Sequence, residues 1–147
     1  MPTVTSTSLD QTAKVAKEWL SYLKRLPTLS QARIIAMRGD LGSGKTTFIQ
    51  AAAKELGITE RVVSPTFVIE KVYHLPVTAD FKYLIHLDCY RLESASELEH
   101  LGWTELITKE RNLIMVEWPE KIKDILPADY LKLDFKFIDE QTREINY

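Results

Sequence analysis

Gly39-Asp40-Leu41-Gly42-Ser43-Gly44-Lys45-Thr46-Thr47 holds three of the chain's five glycines within six residues. It fits the pattern G-x-x-x-x-G-K-[ST], a phosphate-binding loop. The flanks suit that reading. Arg33 to Met37 reads as a short buried strand, and Phe48, Ile49, Ala52 and Leu56 recur at helical spacing until Gly57 stops the helix. Glycines permit backbone angles closed to other residues and let the chain pass close to a phosphate. Amides of the loop and of the helix N-terminus then point at the anion, and Lys45 adds a mobile positive charge. The whole run from Gly39 to Thr47 is thus a candidate nucleotide-binding segment, with the Thr46 hydroxyl available to Mg2+.

Outward from the loop, the chain reads as α/β. Ser8 and Gln11 fit a capping box for a helix whose apolar face carries Ala13, Ala16, Trp19, Leu20 and Leu23, ended by Leu26-Pro27. Val62 and Val63 are strand-like ahead of a loop at Ser64-Pro65-Thr66, and Phe67 to Tyr73 and Phe81 to Asp88 read as strands. A second capping box at Ser94 and Glu97 opens a short helix stopping near Gly102. Leu113 to Val116 is a compact apolar run, expected as a central strand covered on both faces. Leu131, Leu133, Phe135 and Phe137 alternate with polar residues, Asp139 to Thr142 turns the chain, and Glu144 to Tyr147 returns. The expected architecture is a P-loop NTPase-like mixed, mostly parallel sheet flanked by helices, with an antiparallel C-terminal hairpin.

The 147 residues suit one domain, 1–147, and 45% hydrophobic with 27% charged residues is ordinary for a globular protein. A net charge of −2 argues against a broad basic surface gripping nucleic acid unaided. The N-terminus lacks the basic and apolar regions of a signal peptide, and no apolar run approaches the ~20 residues that span a bilayer, so a cytoplasmic protein is expected. Cys89 has no partner for a disulfide, is read as lying within a buried strand and is expected to pack rather than react. Three scattered histidines and one cysteine make no zinc set.

A phosphate loop needs an acid at the end of a neighbouring strand. Two segments supply one: Leu113 to Val116 ends in Glu117, and Tyr83 to Leu87 ends in Asp88. His86 inside the second is read as a hydrogen-bonded core residue. Arg91 is either a charge neutraliser for the phosphates or a salt-bridge partner of Asp88 or a helix acid. Ser64 and Thr66 belong either to a plain turn or to a loop reaching the γ-phosphate. Asp88 is followed by Cys-Tyr-Arg rather than x-x-Gly, and Thr108-Lys-Glu-Arg lacks the guanine-reading aspartate, so adenine is the expected base.

These segments together resemble the TsaE (YjeE) family. The resemblance is carried by Gly39 to Phe48, Ser64-Pro-Thr-Phe67, His86-Leu-Asp-Cys-Tyr-Arg-Leu92, Glu97 with Gly102, and Glu117-Trp-Pro119. It extends through Leu126-Pro127 and more weakly into the tail. It implies a small ATPase supporting threonylcarbamoylation of adenosine 37 in tRNAs that read ANN codons. Group transfer then belongs to the TsaB–TsaD heterodimer, on which this chain acts through ATP, touching tRNA only through the complex. Alone it is expected as a monomer or weak oligomer, slow in hydrolysis until its partner is present.

By the same resemblance Lys45 contacts the β- and γ-phosphates, Thr46 and Glu117 hold magnesium, and Asp88 is a catalytic or metal-supporting carboxylate. Ser64 to Phe67 forms a switch-like loop, Trp118 lies beside the site, and Arg143 touches the nucleotide. Read from the residues themselves, Thr66 and Asp88 are the expected sensors of the γ-phosphate. Ser43 stands where many members have alanine, and the tail, ending at Tyr147, is short. Two rivals remain. A small-molecule kinase of the P-loop class would show an arginine-rich lid, whereas the seven arginines here are spread from 25 to 143. A nucleotide-gated binding module would form its complex without useful turnover.

Overall fold

The computed structural model describes residues 2–77 and 79–147; Met1, part of the N-terminal stretch read above, and Thr78 lie outside them. One seven-stranded sheet runs through the fold in the order β1 (Thr3–Ser6), β7 (Arg143–Asn146), β6 (Leu131–Phe137), β2 (Arg33–Arg38), β5 (Asn112–Glu117), β4 (Tyr83–Asp88), β3 (Glu70–His74). The inner strands β6, β2, β5 and β4 are mutually parallel. At each edge the pairing is antiparallel, β3 on β4 at one side and the β6–β7–β1 meander at the other. The mixed sheet and the C-terminal hairpin are as expected.

Strand periodicity sorts the core into two layers. Ile35, Met37, Leu113, Met115 and Leu84 face the helices α1 (Leu9–Arg25) and α2 (Lys45–Glu55), where Trp19 and Phe48 meet edge to face at 5.5 Å. Ile34, Ile114, Val116, Ile85 and Leu87 face the other way, against α3 (Ala95–His100), α4 (Trp103–Thr108) and a 3-10 helix at Pro119–Ile125. Every residue of β5 is buried, as expected of a strand covered on both faces.

Several local readings are corrected. The buried stripe of α1 is Thr12, Val15, Ala16, Trp19, Leu20 and Leu23, so Val15 is inside and Ala13 is exposed. Ser8 caps α1 by accepting from the Gln11 amide at 3.1 Å, but the Gln11 side chain bonds Thr7 rather than Ser8. In the second box Glu97 accepts from the Glu93 amide at 2.9 Å, while the Ser94 hydroxyl meets Ser96. Val62 and Val63 form no strand. The strand expected from Phe67 begins only at Glu70, because Val68 and Ile69 donate back to the Pro65 carbonyl and Ile69 adopts φ 69° to leave that turn. Beyond Gly102 a further helix, α4, follows at once, and β1 pairs with β7 through a stretch that carried no strand signal.

Candidate functional site

Period-two alternation and strand register assemble the site. On β4, residues 84, 86 and 88 share a face, and on β5 so do 113, 115 and 117; both faces look toward α2. The pairing sets Asp88 opposite Glu117 at the C-terminal ends of these parallel strands. The loop after β2 ends at the same place, and Gly44 (φ 103°) opens α2 with no side chain capping it. That leaves the positive end of a helix facing two acids from neighbouring strands.

Lys45 is buried, and its Nζ donates to the Gly39 carbonyl and to that of Asp40 at 3.1 Å. The ammonium also lies 4.4 Å from the centre of the Trp118 ring. Burial pushes its pKa below the ordinary value, against the opposing pull of Glu117. Thr46 Oγ1 donates to Glu117 Oε1 at 3.1 Å, so the first turn of α2 touches the acid ending β5. The other carboxylate oxygen of Glu117, Oε2, is 2.6 Å from Nε2 of the fully buried His86. Asp88 is held differently: Oδ2 accepts from Thr66 at 2.8 Å and Ser64 at 3.2 Å, and Oδ1 from the Tyr90 amide at 3.0 Å.

A cleft of about 600 Å³ opens over these groups. Residues 41–47 of the loop and α2 form one wall, Ser64, Thr66, Asp88, Glu117 and Trp118 a second, and Ser6 to Leu9 with Glu140, Gln141 and Arg143 the far end. Trp118 takes φ 58°, a left-handed conformation uncommon outside glycine, and its ring stands between Lys45 and Tyr90. Arg143 bonds the Asp139 and Thr142 carbonyls, stacks on Phe137 at 4.6 Å and passes beside Gly44.

The family model described as "Threonylcarbamoyl adenosine biosynthesis protein TsaE" matches residues 6–145. The chain belongs to the TsaE family. It is 36% identical, over 94% of its length and 79% of the relative's, to the tRNA threonylcarbamoyladenosine biosynthesis protein TsaE of Bacillus subtilis. Identity to the Treponema pallidum protein of the same name is 30%, over 93% and 96% of the two chains. The crystal structure of Bacillus subtilis YdiB superimposes with a TM-score of 0.73 at 28% identity, covering 98% of this chain and 82% of that one.

Most residues that the TsaE resemblance singled out converge on this cleft. Leu41 to Thr47, Thr66, Asp88, Glu117, Trp118 and Arg143 all line it. Gly39 and Asp40 do not; their carbonyls anchor Lys45 from beneath the loop. Arg91 forms neither of the ion pairs considered for it, its guanidinium instead stacking 4.4 Å from the Phe67 ring. Sequence reasoning missed the N-terminal residues Ser6 to Leu9 and Thr12 as a wall of the cleft, for which the signal was a helix cap at Ser8. His86 is buried and hydrogen-bonded as read, but its partner is a carboxylate of the site rather than the core.

Proposed function

We propose that the chain binds ATP with Mg2+ and hydrolyses it as an accessory protein of tRNA adenosine-37 threonylcarbamoylation, acting in the cytoplasm on the TsaB–TsaD heterodimer. The observation carrying this reading is the contact of Thr46 Oγ1 with Glu117 Oε1 at the open N-terminus of α2. A hydroxyl and a carboxylate are hard oxygen donors, and such a pair suits a magnesium ion that keeps its waters and phosphate ligands. The donor set therefore fits the metal, which when bound would draw charge from the β- and γ-phosphate oxygens.

The chain's own residues supply the rest. Amides of residues 42–47 face the phosphates, and Lys45 exchanges its loop carbonyls for phosphate oxygens. The lowered pKa of Lys45 reports a partly desolvated cation, and an arriving phosphate compensates that desolvation. Asp88, with Thr66 and Ser64, lies on the wall where the attacking water would be oriented. Loss of the γ-phosphate would then return Thr66 to the Asp88 contact seen here, and a loop that shifts in this way changes the surface offered to a partner.

The test is reconstitution. Purified chain, TsaB–TsaD and tRNA are assayed for modification with ATP, ADP or no nucleotide, beside the Lys45→Ala variant. Modification that needs both ATP and Lys45 supports the reading. Equal ATPase rates in parent and Lys45→Ala would refute it.

A further inference from the structure

We infer that His86 is a positioning residue for Glu117, holding one carboxylate oxygen so that the other is turned to Thr46 and the metal position beside it. The inference deepens the nucleotide-site reading above and rests on it. His86 Nε2 lies 2.6 Å from Glu117 Oε2, while Thr46 Oγ1 stands 3.1 Å from Oε1 and 3.4 Å from Oε2, so the hydroxyl is nearer the oxygen that His86 leaves free. An ionised carboxylate only accepts, so Nε2 carries the hydrogen and the carboxylate is clamped from two sides. The clamp is built across two strands: His86 pairs with Met115 in the register, and Glu117 lies one pleat further along on the same face.

A purely structural role explains this ring poorly. Its same-face neighbours Leu84 and Met115 are apolar and fully buried, and a further aliphatic residue would continue that layer. Instead the position holds an imidazole whose second nitrogen, Nδ1, is buried with no partner among the described residues. An unsatisfied buried polar atom is unfavourable, and it persists where the group has another task. Among the described residues the ring's one hydrogen-bond partner is Glu117. Hydrogen bonds that orient a ligating carboxylate govern metal affinity, and losing one typically weakens binding about 10- to 100-fold.

The experiment compares His86→Gln with His86→Asn. The glutamine amide reaches as far as Nε2, whereas the asparagine amide ends near Nδ1 and falls short. Mn2+ uptake by the ADP-saturated chain is followed by electron paramagnetic resonance, and ADP affinity in EDTA is measured separately by calorimetry. The expected result is about 10-fold weaker Mn2+ uptake in His86→Asn, most of it restored in His86→Gln, with metal-free ADP affinity unchanged in both. Adding His86→Asn to Glu117→Gln is expected to weaken Mn2+ uptake no further. Equal Mn2+ affinity in parent and His86→Asn overturns the inference. So does an equal loss in the two variants, or one that persists undiminished without the Glu117 carboxylate. A parent chain that takes up neither ADP nor Mn2+ instead overturns the nucleotide-site reading itself, and the inference with it.

Discussion

Thr66 Oγ1 donates to Asp88 Oδ2 across 2.8 Å, tying the loop that follows β-branched Val62 and Val63 to the end of β4. Ser64 reaches the same oxygen at 3.2 Å and meets Thr66 at 2.8 Å, so three side chains form one latch. A hydrogen bond to a charged acceptor contributes about 1.5–3 kcal/mol, enough to decide whether a short exposed loop stays in place. Thr66→Val is therefore expected to speed amide exchange across residues 64–69 and to lower ATP turnover at least about 10-fold, while nucleotide affinity changes little. Thr66→Ser keeps the donor and is expected to behave as the parent.

Glu117 and Asp88 pair across β5 and β4 but hold different neighbours, and their loss is expected to separate binding from chemistry. On the proposed reading most phosphate contacts would come from main-chain amides and Lys45, which neither substitution removes. Glu117→Ala and Asp88→Ala are expected to bind ATP with near-parental affinity and to lose about 100-fold or more in turnover. Calorimetry beside a phosphate-release assay checks both halves. Loss of ATP binding in both variants would move the acids from catalysis to assembly of the loop.

The part of the fold that carries the site was legible because its signals are local. The loop from Gly39 to Thr47 has a motif, and β5 contains the unbroken buried apolar run Leu113 to Val116. Elements that depend on distant partners were not. β1 has one apolar residue in four and exists because β7, from the far end of the chain, offers it an edge. α4 has six residues, too few to show a period, and Gly102 (φ 93°), read as a stop, also serves as the N-terminal cap of α4. Phe67 and Val68 look like strand residues, but they occupy an exposed turn fixed by the Thr66–Asp88 contact. The partner of His86 is set by the register of β4 on β5, which no local pattern encodes.

Lys45 is expected to trade stability for binding. Its folded-state pKa is depressed, chiefly by burial, so the fold favours the neutral amine. The sign follows: burying the cation opposes folding at neutral pH, and that penalty disappears only as pH rises toward the ordinary value of 10.5. Lys45→Met is then expected to melt above the parent at pH 7 without nucleotide, with the gap narrowing at alkaline pH. Added ATP is expected to raise the melting temperature of the parent alone.

Cys89 is buried, and burial next to Asp88 pushes its thiol up to about 12. Since the thiolate is the reactive form, at pH 8 almost none is present in the folded chain. A thiol-titrating disulfide reagent is expected to label the native protein far more slowly than the protein in denaturant. Rapid native labelling would show that the β4 end opens readily.

Gly39 and Gly42 lie in the same loop but are expected to respond unequally to alanine. At Gly39 (φ +151°) a Cβ would stand 2.5 Å from Ser43 Oγ and 2.6 Å from the Phe135 carbonyl, closer than real contacts allow. At Gly42 (φ +78°) it would meet nothing, leaving only the backbone penalty of about 1–2 kcal/mol. Gly39→Ala must also displace the carbonyl that holds Lys45, so it is expected to lose both several degrees of melting temperature and ATP affinity. Ser43 offers a control, because its hydroxyl is buried with no partner among the described residues and Ser43→Ala alone is expected to leave stability unchanged or raised. Adding Ser43→Ala to Gly39→Ala relieves the hydroxyl contact but not the one with the Phe135 backbone, so rescue should be partial at most. Full rescue would mean that β6 gives way to the loop and that the Phe135 carbonyl does not fix its path.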